Sequence, residues 1–305
     1  MIECKEISET RREYGNMNDL QKSREETIAD LEETARDIRK KIYQIAHFAG
    51  GGHMGASFSM ADIISVIYFG GVLKYDASNP QWKERDKFIL SKGHACYALY
   101  AALARAGYFP KEELRHVGQT GSKFGGHPKM YDIPGVEAST GALGHGLSFA
   151  IGAAYANKID KKGAHVYVVL GDGECQEGSI WEGALSAPTL ELDNLTVIID
   201  HNKLQAMDEL ENIVNMNPLV DKWKAFGWNV TEINGHDHGQ VREALLARKK
   251  GVPTLVIANT IKGKGVSFME SVPIWHYRMP NEEELKVLVN ELGYSEEEKA
   301  ELLLK

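Results

Sequence analysis

Two side chains with oxygen donors stand at matching places in this sequence: Asp172 in Gly171-Asp172-Gly173 and Asn202 in Asp200-His201-Asn202. Each follows an apolar run, His165 to Leu170 and Leu195 to Ile199, rich in β-branched residues. Such runs read as buried parallel strands. The pair is separated by about 30 residues, the length of one βαβ unit, so both strand ends open at the same carboxyl edge of the sheet. That edge is where α/β proteins bind ligands. One carboxylate and one carboxamide suit a hard cation such as Mg²⁺, which keeps its other positions for water and phosphate oxygens. Gly171 and Gly173 allow a bulky anion close to the backbone, and the helix start at Glu174 adds partial positive charge. No G-x-x-x-x-G-K-[ST] or G-x-G-x-x-G accompanies them, which excludes the Walker loop and the nicotinamide fingerprint. No Lys or Arg lies between Leu170 and Asn202, so a metal is expected to neutralise any phosphate bound there. Glycine-Asp-glycine alone reads equally as a plain strand-turn-helix. The amide at the next strand end tilts the reading toward a ligand site.

Four histidines stand apart from the rest: His53 behind Gly50-Gly51-Gly52, His94 in Ser91-Lys92-Gly93-His94, His127 in Gly126-His127-Pro128, and His276 after Trp275. Imidazole donates, accepts and shuttles protons near neutral pH. Converging near Asp172 and Asn202, these rings would make a neutral, hydrogen-bonding bowl over a diphosphate. Taken singly, each reads as well as a loop histidine, and His94 as a helix-start residue. The loop from Gly121 to Ser139 is long for a compact domain, a sign of function or mobility. The small residues of Ser139 to Gly146 suit either a close ligand or a tight helix contact. His236-Asp237-His238 has metal-ligand spacing but lies in a polar turn, where solvation is the ordinary reading.

The positioning elements follow from periodicity. Ile28, Leu31, Ala35, Ile38, Ile42 and Ile45 recur at spacings of three and four, which predicts a helix to about Phe48. Further helices are expected at about Ser59 to Tyr68, Ala95 to Ala106, from Gly146 to about Asn157, and Gln240 to Arg248. Further strands are expected at Lys87 to Leu90, Trp228 to Ile233 and Pro253 to Ala258. Lys203 to Met216 reads as a polar loop. The pattern is α/β with a parallel sheet. Residues 1–19 read as a polar extension, 20–280 as the domain, and 281–305 as an acidic amphipathic helical tail. The 305 residues are 43% hydrophobic with formal charge −8 and pI about 5.8. That balance argues against nucleic-acid or anionic-membrane partners. Three cysteines, Cys4, Cys96 and Cys175, have no paired spacing and fit a reducing compartment, with the cytoplasm as default. No signal peptide or membrane-length apolar run is read.

These motifs resemble the thiamine diphosphate motif, which opens with Gly-Asp-Gly and closes with Asn one βαβ unit later. More narrowly, Gly171 to Gly178 (GDGECQEG), Ser91 to His94, Gly126-His127-Pro128, Thr260 to Gly265 (TIKGKG) and Trp275-His276 are similar to those of the transketolase family, over nearly all of residues 20–280. The resemblance implies a three-layer diphosphate-type domain with helices on both sheet faces. It implies thiamine diphosphate and Mg²⁺, with Ca²⁺ or Mn²⁺ as substitutes, and Asp172, Asn202 and the Leu204 carbonyl as metal ligands. Cofactor contacts are implied for His94, Gly141, Ala142, Leu143, Gly171, Asp172, Gly173, Glu174, Asn202 and His276. His53, His127 and His276 are implied to contact the sugar. The chain departs from the family pattern at Met54 and Ala142 (Pro in the family), His145 (Gln) and Tyr277 (Gly). The family's carboxylate facing the aminopyrimidine lies on a later domain that this chain does not cover. The implied partner is a second polypeptide carrying that domain, in a heterotetramer with sugar phosphate substrates, and Glu177 and Glu182 are implied interface carboxylates. The alternatives are the alpha subunit of a 2-oxo-acid dehydrogenase, deoxyxylulose-phosphate synthase, and a non-catalytic paralogue.

Overall fold

The first described helix owes its ends to two local devices. A computed structural model of the chain describes residues 27–303; the expected extension over 1–19 lies outside them. Thr27 caps α1 (Ile28–Ala49) in a reciprocal capping box with Asp30, and Gly50, in the left-handed region at φ +73°, stops it. Each device contributes on the order of 1 kcal/mol. Helices α2 (Met54–Ser59) and α3 (Ala61–Phe69) follow, where the sequence predicted one helix starting at Ser59. Then come β1 (Lys87–Leu90), α4 (Cys96–Arg105), α5 (His145–Ile159), β2 (Val166–Gly171), α6 (Gly178–Thr189) and β3 (Leu195–His201). The chain continues with α7 (Leu219–Ala225), β4 (Asn229–Asn234), α8 (His238–Leu246), β5 (Thr254–Asn259), α9 (Glu282–Glu291) and α10 (Glu296–Leu303). The polar loop expected from Lys203 to Met216 holds a bridge between Leu204 and Glu209 and the short helix Leu210–Ile213.

The five strands form one parallel sheet in the order β1-β2-β3-β5-β4. Successive strand residues point to opposite faces. Tyr167, Val169, Ile198, Val256 and Ala258 join the core under α1, α3, α4 and α8; Val166, Val168, Leu170, Val197, Ile199, Leu255 and Ile257 join the core under α5, α6 and α7. Both faces are covered, so strands without alternating polarity are stable. Burying each such aliphatic side chain contributes about 1.5–3 kcal/mol.

The strand order also explains which face each helix takes. Crossovers between parallel strands are right-handed. The steps β2 to β3 and β3 to β4 advance across the sheet and place α6 and α7 on one face. The step β4 to β5 runs back, so α8 falls on the other face. The acidic tail folds onto α1: Leu288, Leu292 and Leu302 are buried in its core, Tyr294 Oη donates to the Lys40 carbonyl, and Lys40 pairs with Glu298 at 3.0 Å.

Candidate active site

In register, Gly171 of β2 lies beside Asp200 of β3, and His201 beside Asn259 of β5. Every strand end therefore delivers its turn to one edge. Asp172 is buried there; its Oδ1 accepts from Gly173 N at 2.8 Å and its Oδ2 from Lys203 N at 2.5 Å. Asn202 Oδ1 accepts from Leu204 N at 3.1 Å. These bonds hold residues 202–204 against the glycine turn. Burial, and next the neighbouring Asp200, push the Asp172 carboxyl above its ordinary value. A cation at this place would relieve that cost.

Two lysines reach this edge from outside the span Leu170 to Asn202. Lys92, fully buried, pairs with Asp200 and donates to the Ala56 carbonyl at 2.9 Å. Burial favours a protonated Asp200, but Lys92 and the hydroxyls of Ser59 and Thr260 outweigh it and hold the carboxyl below its ordinary value. Lys262, on the turn after β5, donates to the Gln205 carbonyl at 2.8 Å, lies 3.4 Å from the Leu204 carbonyl, and lies 3.0 Å from His276 Nδ1. Burial brings its pKa down to about 8. The sequence reading assigned Lys262 no role, although it sits in a glycine turn after an apolar strand, the same signal that marked Asp172.

The four histidines converge. Ring centroids of His53 lie 5.3 Å from His94, 5.0 Å from His276 and 6.4 Å from His127, and His94 lies 5.7 Å from His276. Burial first, then Lys92, brings His94 down to about 2. Burial and Lys262 bring His276 down to about 4. His53 is lowered by burial, His127 and Lys262. These three rings are neutral at pH 7. The Lys262 ammonium has only protons to offer, so Nδ1 of His276 accepts and Nε2 keeps the N–H. The His53 loop depends on Gly52, with φ +142°, where an added Cβ would stand 2.3 Å from the Tyr97 ring.

The remaining predicted residues lie around this bowl. His127 is exposed, and Gly141 lies beneath it: a Cβ there would stand 3.3 Å from the imidazole. Ala142 is exposed, and the Leu143 carbonyl accepts from His145 Nδ1 at 3.0 Å. The Glu174 side chain turns inward: its carboxylate accepts from Ser91 Oγ at 2.5 Å, Gly144 N at 2.9 Å and Gly171 N at 3.0 Å. It ties three loops together, which leaves a cofactor contact to its main chain. His236 and His238 surround Asp62 rather than a metal: His236 Nδ1 lies 2.6 Å and His238 Nε2 3.5 Å from its carboxylate. Among the described residues no group of three or more His, Cys, Asp and Glu side chains could hold a metal ion.

The residues present fit a divalent cation and a diphosphate. A carboxylate, a carboxamide and a main-chain carbonyl form a hard oxygen set, and a lysine ammonium already lies against that carbonyl. Gln205 Nε2 is buried without a hydrogen-bond partner beside Gly173, a donor matched to an anionic oxygen.

A parallel sheet with such a carboxyl edge defines the class of α/β cofactor-binding domains. Within it, the family described as "Transketolase, thiamine diphosphate binding domain" matches residues 31–302, and the chain belongs to that family. The chain is 44% identical to one of the apulose-4-phosphate transketolase subunits of Actinobacillus succinogenes, over 86% of this chain and 96% of that one. It is 41% identical to the 6-deoxy-6-sulfo-D-fructose transketolase subunit SqwG of a Clostridium species, with the same two coverages. The solved transketolase of Campylobacter jejuni superposes with a TM-score of 0.82 at 32% identity, over 91% of this chain and 46% of that one. The chain thus spans less than half of the long transketolases and nearly all of the two shorter relatives. Among the described residues no helix is long and apolar enough to cross a membrane.

Proposed function

We propose that this chain is the diphosphate-binding subunit of a two-component transketolase, which moves a two-carbon ketol unit from a ketose phosphate to an aldose phosphate. The observation that carries this is the convergence of His53, His94, His127 and His276 at the strand edge that bears Asp172 and Asn202. Asp172, Asn202 and the Leu204 carbonyl would hold Mg²⁺, with Ca²⁺ or Mn²⁺ as substitutes. His94, Lys262, Gln205 and the main chain of Gly141 to Leu143 and of Gly171 to Glu174 would hold the diphosphate of thiamine diphosphate. When bound, that cofactor supplies the carbon nucleophile and the electron sink for C–C cleavage. The protein positions and moves protons. His276 presents Nε2–H to a sugar oxygen. His53, neutral because burial disfavours its charge, can take a hydroxyl proton. His127, on its exposed loop, meets the sugar from above.

The partner would bring the carboxylate that faces the aminopyrimidine ring. Two exposed regions suit an assembly, here a heterotetramer. Around the mouth, Met207, Ile274 and Tyr277 are 86%, 63% and 63% exposed. On the outer face of α5 and α6, Phe149, Ile159 and Leu185 are 56%, 60% and 60% exposed, beside exposed Glu177 and Glu182. The free thiols of Cys96 and Cys175 suit the cytoplasm. The relatives' names suit a specialised sugar phosphate.

The test is a ketol-transfer assay with thiamine diphosphate and Mg²⁺, using xylulose 5-phosphate and ribose 5-phosphate and then branched and sulfonated sugars. The chain is assayed alone and with the product of the adjacent gene. Activity confined to the mixture is expected. Activity of the chain alone would overturn the two-component reading.

A further inference from the structure

We infer that His236 is a positioning residue that sets the place of Lys262. The inference rests on the reading of Lys262 as a diphosphate contact. His236 lies after β4, and its ring spans two elements: Nε2 accepts from Ile261 N at 2.8 Å, and Nδ1 lies 2.6 Å from Asp62 Oδ2. A main-chain N–H can only donate, so Nε2 is unprotonated and Nδ1 donates to the carboxylate. Asp62 on α3 is itself fixed. Arg39 of α1 donates to its Oδ1 at 3.0 Å and to its Oδ2 at 2.5 Å, and also to the Phe58 carbonyl at 3.2 Å. The bidentate pair is buried, where its geometry is rigid.

The chain from α1 through α3 to the turn after β4 therefore ends on the amide just before Lys262. The rest of that turn is bound as closely. Thr260 Oγ1 donates to Asp200, Gly263 N donates to the Gly55 carbonyl at 3.1 Å, and Ser271 N donates to the Lys262 carbonyl at 2.9 Å. The Ile261 amide is the point at which the Arg39-Asp62-His236 brace meets this turn, and rotating that peptide would swing the Lys262 side chain off the Leu204 and Gln205 carbonyls. This gives the His-Asp-His stretch a function at the cofactor edge without a metal.

The test measures thiamine diphosphate dissociation constants with Mg²⁺, by tryptophan fluorescence, in the assembled two-subunit complex. His236→Asn keeps a donor for Asp62 but loses the acceptor for Ile261. His236→Gln keeps an acceptor at the outer position. Asn is expected to weaken cofactor binding about tenfold, the scale of one lost hydrogen bond, and Gln to stay close to wild type. Lys262→Met is expected to weaken it at least as much, and the double variant His236→Asn, Lys262→Met no further than Lys262→Met alone. Multiplied effects in the double variant, or equal losses for Asn and Gln, would overturn the positioning role while leaving Lys262 as a contact. Unchanged affinity in Lys262→Met would overturn the diphosphate reading of Lys262, and the positioning role with it.

Discussion

Lys262 Nζ and His276 Nδ1 lie 3.0 Å apart, and this pair joins the turn after β5 to the histidine bowl. The ammonium dictates the tautomer of the ring and, with burial, keeps it neutral. A cation that faces the Leu204 and Gln205 carbonyls on one side thus sets the hydrogen-bonding direction of His276 on the other.

Asp172→Ala removes the one carboxylate of the oxygen set and the acceptor that holds Lys203 N. Mg²⁺-dependent cofactor affinity is expected to fall by more than about a hundredfold, since groups that only orient metal ligands already contribute about 10–100-fold. Titration calorimetry on the assembled complex measures it; wild-type affinity would remove Asp172 from the metal set.

His127→Ala is expected to leave cofactor affinity unchanged and to lower kcat/KM for ketol transfer by about tenfold, the scale of one lost hydrogen bond to substrate. The ring is exposed and lies above Gly141, on the open side of the bowl. Loss of cofactor binding with an intact fold would place this loop at the diphosphate instead.

Gly55→Ala would put a Cβ 2.8 Å from the Trp275 carbonyl and 3.2 Å from Lys262 Cγ. The first contact is backbone, so the segment carrying His276 must shift. A destabilisation of about 1–3 kcal/mol is expected from overpacking, with a kcat loss beyond what the stability change explains. Urea unfolding and steady-state kinetics separate the two effects.

Glu174→Gln exchanges an acceptor-only group for one with two donors, facing Ser91 Oγ, Gly144 N and Gly171 N. At least one N–H then meets an amide N–H. A loss of about 1–3 kcal/mol is expected, the cost of an unsatisfied buried donor, and urea unfolding of the chain measures it. An unchanged midpoint would mean the three loops hold without the clasp.

Stability should depend on pH through His276. Its folded pKa of about 4 lies below the unfolded value of 6.5. Between those values the unfolded chain binds more protons than the folded one, so stability rises with pH through that window and is level above it. Raised carboxyls such as Asp86 and Glu174 act in the opposite direction, so the comparison is between proteins. The fall in Tm from pH 7.5 to 5.5 should be smaller in His276→Gln than in wild type; equal falls would show that the ring is not kept neutral.

Much of this protein was legible from local pattern. Apolar runs of β-branched residues predicted β2, β3 and β5, because a strand buried on both faces needs little else. Glycine turns marked Asp172, His53 and His94, because close approach of a ligand or another backbone leaves glycine as its trace, and Asn202 was marked by its place at the end of the next apolar strand. Helix boundaries were less legible: the break at Met60 between α2 and α3 lies in a stretch buried throughout, with no Gly or Pro at the break to mark it. The convergence of histidines more than two hundred positions apart belongs to the tertiary structure, which brings five strand ends to one edge and folds the loops of His53 and His127 over it. Lys92 and Lys262 escaped notice because a lysine reads as surface unless its partner is known, and Asp200 and the 204–205 carbonyls become partners only after folding. His236 shows the same limit. Its place in a polar turn suggested solvation, but the folded chain sets its ring between Asp62 and the Ile261 N–H of the turn after β5. Sequence determined the kinds of chemistry available, since residue type sets charge and donor capacity. Tertiary structure decided which of those groups act together, since hydrogen bonds and desolvation depend on distances of a few ångströms that spacing along a chain does not specify.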